Sequence, residues 1–242
     1  MICCWTSKGG SGTSVVAAAL AIVLARRPAG ALLVDLAGDQ PAVLGCADPQ
    51  GPGLREWLGS VDHAPPDALG RMEMDVVAGL RLLPAGSAGL GPPDATGQAD
   101  AILGGVLAGE ARSVVVDAGV VGTGTVPLAR SLAEHAGVSL LVVRPCYLAL
   151  RRATTCGVRP TGVVVVSEPG RSLTPSDVAA AVGAPVVAEV AMHATVARAV
   201  DAGLLAMRLP RQLDRALQNI TGQQGIAVQG VAGQGLAGQG LV

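Results

Sequence analysis

Short apolar runs rich in β-branched residues alternate along this chain with longer helical stretches, and that alternation narrows the fold more than any other feature. Continuous apolar strands separated by helices are what a parallel sheet covered on both faces requires. Strands are expected at Ile2–Thr6, Ala31–Asp35, Leu80–Leu83, 113–117, Val138–Val143, 162–166 and 186–190. Helices are expected at about 13–26, 97–107, 126–135, 147–156, Pro175–Val182, 194–202 and 210–219, with Thr174 as the N-cap of the fifth. A Gly/Pro loop through Pro93 follows the third strand. About seven strands, each followed by a crossover, make one α/β domain: a doubly wound, mostly parallel sheet flanked by helices.

That domain is expected to occupy residues 1–220. Residues 221–242 change character to a loose Gly-Gln-x-Gly repeat without charge. Glycine at this density opposes a stable helix, so the segment reads as a flexible tail, with strand addition to a partner's sheet edge as the alternative. Half of the 242 residues are hydrophobic and 14% are charged, which supplies a buried core and excludes a disordered chain. A net charge of -1 argues against gripping nucleic acid by bulk positive charge. The N-terminal residues lack the pattern of a secretory signal, and the longest apolar run, 15–25, is too short to span a bilayer. The expected location is cytoplasmic. The five Cys (3, 4, 46, 146 and 156) show no C-x-x-C spacing and read as small core residues, with Cys3 and Cys4 facing opposite sides of one strand.

Between the first strand and the first helix stands Ser7-Lys8-Gly9-Gly10-Ser11-Gly12-Thr13-Ser14. Glycines there let backbone N–H groups turn inward, and a helix N-terminus adds positive potential, so the segment reads as a phosphate cradle. Lys8, the single lysine beside sixteen arginines, stands at its mouth.

This loop resembles the deviant Walker A motif, Lys-Gly-Gly-x-Gly-Lys-[Ser/Thr], of the ParA/MinD ATPases, which position chromosomes, division septa and pili. The resemblance spans residues 1 to about 220 and includes Leu32-Leu33-Val34-Asp35 and Val114-Val115-Val116-Asp117. It implies a P-loop NTPase fold binding ATP or ADP with Mg²⁺, and a nucleotide-sandwich homodimer. Lys8, Gly9, Gly10, Ser11, Gly12, Thr13 and Ser14 would then hold the phosphates, with Lys8 also the signature lysine that reaches the partner protomer. Ser14, Asp35 and Asp117 would serve the metal.

Three departures from the motif weaken catalysis. Thr13 occupies the place of the P-loop lysine, and a neutral hydroxyl does not replace that charge. Ala37 stands where the family carries its water-positioning Asp; Asp39, two residues on, is the substitute available. Ser167 follows the strand 162–166, where relatives often carry an adenine-reading Asn. Such losses resemble the TadZ/CpaE branch, which localises Tad pilus machinery, and actinobacterial septum-site proteins; the segment 141–152 is similar to actinobacterial members.

Arg144, Arg151, Arg152 and Arg159, and a second group of Arg208, Arg211 and Arg215, offer non-specific DNA contacts or else solvated and ion-paired faces. His63, His135 and His193 lack metal-ligand spacing and read as surface or capping residues. No nucleophile elbow and no dinucleotide fingerprint are present. Cys146 follows a strand, but only iron–sulfur relatives would use it across a dimer axis. Three readings remain: a slow or non-hydrolysing positioning scaffold recruited through a protein partner to pole, septum or membrane; a true Mg²⁺-dependent ATPase using Lys8 and Asp39; and a P-loop-derived interaction module that binds no nucleotide.

Overall fold

The computed structural model describes residues 1–61, 63–65, 67–87, 98–122 and 127–222, without the side chains of 219, 221 and 222. Eight strands form one sheet: β1 (Ile2–Thr6), β2 (Ala31–Asp35), β3 (Met74–Val77), β4 (Leu80–Leu83), β5 (Ser113–Val120), β6 (Val138–Val143), β7 (Gly162–Ser167) and β8 (Val186–Ala191). Their order is β3-β4-β2-β5-β1-β6-β7-β8. Every neighbouring pair is parallel except β3 and β4. The doubly wound fold read from the alternation is the one observed.

Ten helices are described: α1 (Thr13–Ala25), α2 (Gln40–Leu44), α3 (Leu54–Leu58), α4 (Ala68–Met72), α5 (Gln98–Ala108), α6 (Pro127–His135), α7 (Tyr147–Thr155), α8 (Pro175–Val182), α9 (Ala194–Asp201) and α10 (Arg211–Gly222). The side-chain alternation of β1 divides the core. Ile2 and Cys4 face the layer of α1 and α10, while Cys3 and Trp5 face the layer built from α5, α6 and α7. The one polar atom of Trp5 is satisfied, because its Nε1 donates to Ser139 Oγ at 2.9 Å. α1 is apolar all round and is buried on every side from Val16 to Ala25. Its run of alanines lets the sheet and α10 approach closely. An Arg26–Asp214 ion pair at 2.8 Å joins α1's end to α10.

Several elements depart from the sequence expectation. β3 is an additional edge strand, antiparallel to β4 through a turn at Gly79 (φ +80°). Met74, Val76 and Val77 are only half-buried and Asp75 is exposed, so the strand carries no continuous apolar run. α2, α3 and α4 have five residues each, too few to show a helical period. β5 continues three residues past Asp117, because its register on β1 shifts between Cys4 and Trp5 and restarts at Gly119. Thr174 does cap α8, accepting from Asp177 N at 3.2 Å in a reciprocal box. The flexibility expected of 221–242 concerns residues that lie, past Gly222, outside the described ones, as does most of the loop through Pro93. No helix among the described residues is long and apolar enough to cross a membrane.

Candidate functional site

The loop between β1 and α1 is held by its own hydroxyls. Thr6 Oγ1 donates to the Lys8 carbonyl at 3.1 Å and accepts from Lys8 N at 3.3 Å, and Ser11 Oγ donates to the same carbonyl at 2.7 Å. Ser7 Oγ reaches across to the Ala149 carbonyl of α7 at 2.9 Å. Gly10 and Gly12 adopt φ of +77° and +86°, which side-chain-bearing residues rarely take. Gly12 is the N-cap of α1 and brings no side chain to cap it, so the first N–H groups of the helix keep their hydrogen-bonding capacity for something else.

These N–H groups border a cavity of about 510 Å³. Its walls are the loop 9–15, Leu36, Ala37 and Asp39 after β2, the 118–120 end of β5, and Leu128 and Ala129 of α6. Gly9 to Ser14 all line it, whereas Lys8 does not. Lys8 is half-buried, and no acid pairs with it among the described residues. Thr13 Oγ1 is buried without a hydrogen-bond partner, an orphaned donor under the loop. An uncapped helix terminus, two left-handed glycines and an orphaned hydroxyl together fit an anionic ligand such as phosphate.

Asp35 and Asp117 are direct neighbours across the β2–β5 ladder, and both are fully buried. Asp35 turns to its own loop: Gly38 N and Gln40 N donate to its carboxylate at 2.7 and 3.1 Å. Burial nevertheless outweighs those bonds and lifts Asp35 from 3.8 to about 6. Asp117 accepts from Gln40 Nε2 at 2.8 Å and from Gly119 N at 3.2 Å, and the nearby Ser14 hydroxyl acts to lower its pKa. Burial raises it too, against the opposing hydrogen bonds, and the Asp39 charge adds to the rise.

Ser14 lies near enough to Asp117 for its hydroxyl to influence that carboxyl, and hydroxyl plus carboxylate is the hard oxygen set that suits Mg²⁺. Among the described residues no three His, Cys, Asp or Glu side chains cluster around a metal position. Mg²⁺ in phosphate sites commonly relies on one or two protein oxygens plus the phosphates and water, so these two residues fit it. Ala37 backs onto Gly119, where an added Cβ would come within 3.2 Å of the Ala37 methyl. Asp39 is exposed at the N-cap of α2 on the cavity wall.

Gln40 is a site residue that the sequence does not reveal; it lies next to Asp39 and follows no motif. Arg144 belongs by sequence to the basic cluster, but it is engaged: its guanidinium pairs with Glu168, which also binds Arg171, and touches the Gly10 carbonyl at 3.4 Å. Arg151, Arg152, Arg159, Arg208, Arg211 and Arg215 are exposed. Ser167 ends β7, where its carbonyl accepts from Met192 N. Cys146 is the N-cap residue of α7. His193 caps α9, accepting from Thr195 N at 3.1 Å, while His135 contacts the Ser131 carbonyl and His63 is exposed.

No protein-family model matches the sequence, and no curated protein matches it either. Solved structures do match the fold. A ParA family ATPase from Chlorobium tepidum TLS superposes with a TM-score of 0.72 at 18% identity, over 89% of this chain and 94% of that one. A chain of the MinC:MinD cell division protein complex from Aquifex aeolicus gives 0.71 at 17% identity, over 92% and 96%. The septum site-determining protein MinD with Mg-ADP from Pyrococcus horikoshii OT3 gives 0.68 at 18%, over 90% and 93%. The chain has the P-loop NTPase fold of the ParA/MinD ATPases.

Proposed function

From that fold and this cavity, we propose that the chain is a ParA/MinD-like positioning or scaffolding protein, one that binds ATP or ADP with Mg²⁺ and hydrolyses it slowly or not at all. The observation that carries the reading is the cradle itself: Gly9 to Ser14 line a cavity at an uncapped helix N-terminus, with Thr13 where a lysine would serve transfer. Backbone N–H groups of the loop and of α1 bind and orient phosphate oxygens. Ser14 and Asp117 would hold the cation, which would offset the phosphate charge. Thr13 Oγ1 donates a hydrogen bond but no charge, so the transition state lacks the stabilisation a lysine gives.

Ala37 presents a methyl group and can orient no water. Lys8, half-buried at the start of the loop and without an acidic partner among the described residues, would meet anionic oxygen at the face of a second copy, in keeping with a nucleotide-dependent homodimer. The dimer would recruit a protein partner, as the A. aeolicus MinD structure contains MinC, for pilus or septum placement. The exposed arginines would add non-specific DNA contact. A slow true ATPase is the second reading, favoured by the Asp39 carboxylate on the cavity wall.

Calorimetric titration with ADP and a non-hydrolysable ATP analogue, with and without Mg²⁺, tests the proposal. Micromolar binding, weakened about tenfold or more in Lys8→Ala, is expected from losing a charge-assisted contact. Silence toward every nucleotide from folded protein would overturn it. Phosphate release above a protein-free control, lost in both Lys8→Ala and Asp39→Ala, would instead establish the ATPase.

A further inference from the structure

Gln40 is wholly buried at the start of α2 and bridges three parts of the site. Its backbone N–H goes to Asp35, and its Nε2 donates both to Asp117 Oδ2 at 2.8 Å and to the Ser14 carbonyl at 3.0 Å. Both partners of the amide nitrogen are acceptors, so chemistry dictates which end of the amide faces them. The other end has none: Gln40 Oε1 is buried without a hydrogen-bond partner among the described residues. A buried, half-satisfied amide is costly, and an apolar residue of the same length would avoid that cost.

What the amide achieves is local to Asp117. It places two N–H dipoles between a buried carboxylate and the backbone carbonyl of Ser14. The Asp117 carboxylate and the backbone of Ser14, the two residues with side-chain chemistry to hold a divalent cation, are thus already tied together by a neutral donor group. A cation on Asp117 Oδ2 would compete with the amide for that oxygen.

We propose that Gln40 is a latch on the divalent-cation site, its amide standing in for the cation on Asp117 so that release of the amide sets cation affinity. This rests on the reading above of Ser14 and Asp117 as the cation ligands. The latch also ties cation entry to α2, because Gln40 begins that helix, Asp39 beside it forms cavity wall, and α2 packs against α9. Cation binding would therefore loosen the α2 end of the cavity wall while filling the site.

The experiment is titration of full-length protein with Mn²⁺ followed by electron paramagnetic resonance, with and without ADP, on wild type, Gln40→Ala, Gln40→Met and Asp117→Asn. Gln40→Met conserves length and apolar packing, so it reports on the amide even where the smaller substitution impairs folding. Both Gln40 variants should bind Mn²⁺ about tenfold more tightly than wild type, a difference of about 1.4 kcal/mol. Asp117→Asn should abolish binding. Equal or weaker binding by the folded Gln40 variants, with Asp117 still required, would overturn the latch and leave the cation site standing. Loss of Mn²⁺ binding in every protein, or wild-type binding by Asp117→Asn, would overturn the cation site as well.

Discussion

Replacing Asp35 by Asn tests the electrostatics of the site through stability alone. Asp35 is fully buried, and its carboxyl sits at about 6 against an ordinary value of 3.8, with burial as the main cause and Asp117 and Asp39 contributing. At the lowest pH the group is neutral both folded and unfolded, and it contributes nothing to the pH dependence. Between about pH 4 and 6 the unfolded chain has released its proton while the folded chain still holds one, so stability falls as pH rises. The full difference corresponds to about 3 kcal/mol, of which about 2.5 kcal/mol falls between about pH 4 and 7.5.

The amide introduced by Asp35→Asn does not ionise and is exempt from that loss. Whatever the variant forfeits at Gly38 N or Gln40 N is the same at every pH. Urea unfolding read by tryptophan fluorescence is a suitable assay, since Trp5 and Trp57 are both buried. The stability of Asp35→Asn relative to wild type should rise by about 2.5 kcal/mol across that interval. The variant should still keep a share of the wild-type slope, from Asp117, whose carboxyl is raised in the same direction. Parallel curves for the two proteins would refute the assignment of Asp35 as a carboxylate held against its desolvation.

Two further predictions address the loop and the packing. Thr13→Lys restores a cation beneath the loop and should tighten binding of an ATP analogue about tenfold to a hundredfold, measured by calorimetry; unchanged affinity would show that the cradle does not direct that position at phosphate. Gly45→Ala should cost about 2–4 kcal/mol in urea unfolding, because φ is +74° and a Cβ would fall within the envelope of the Gly203 carbonyl oxygen. Gly183→Ala, at φ +73° with open space around it, should cost only about 1–2 kcal/mol, and equal losses would place the effect in backbone strain rather than contact.

The major helices and all strands but β3 are legible in the sequence because their signals are local. Val138–Val143 is six buried aliphatic or small residues in a row, and Thr174 with Asp177 three residues later marks a helix start. The phosphate loop is legible for the same reason: Gly10 and Gly12 supply the left-handed turns their backbone needs, and β1 and α1 flank them in sequence. β3 is not, since an edge strand with an exposed Asp75 buries too little to leave an apolar pattern. Nor are α2 to α4, which are single turns decided by what they pack against.

The site divides along the same line. Composition and periodicity determined a parallel α/β domain with a glycine loop opening its first helix, because strand burial, helix period and glycine φ each depend on neighbours a few residues away. The meeting of Gln40 with Asp117, 77 residues apart, and with Ser14, 26 residues apart, was decided only by the sheet order that sets β2 beside β5 and β5 beside β1. The pairing of β6 with β7 also decided the engagement of Arg144 by Glu168, which withdrew Arg144 from the free basic surface. Burial of Asp35 and Asp117 on adjacent strands, and with it the upward shift of both carboxyls, is likewise a property of the closed layers and not of either strand alone.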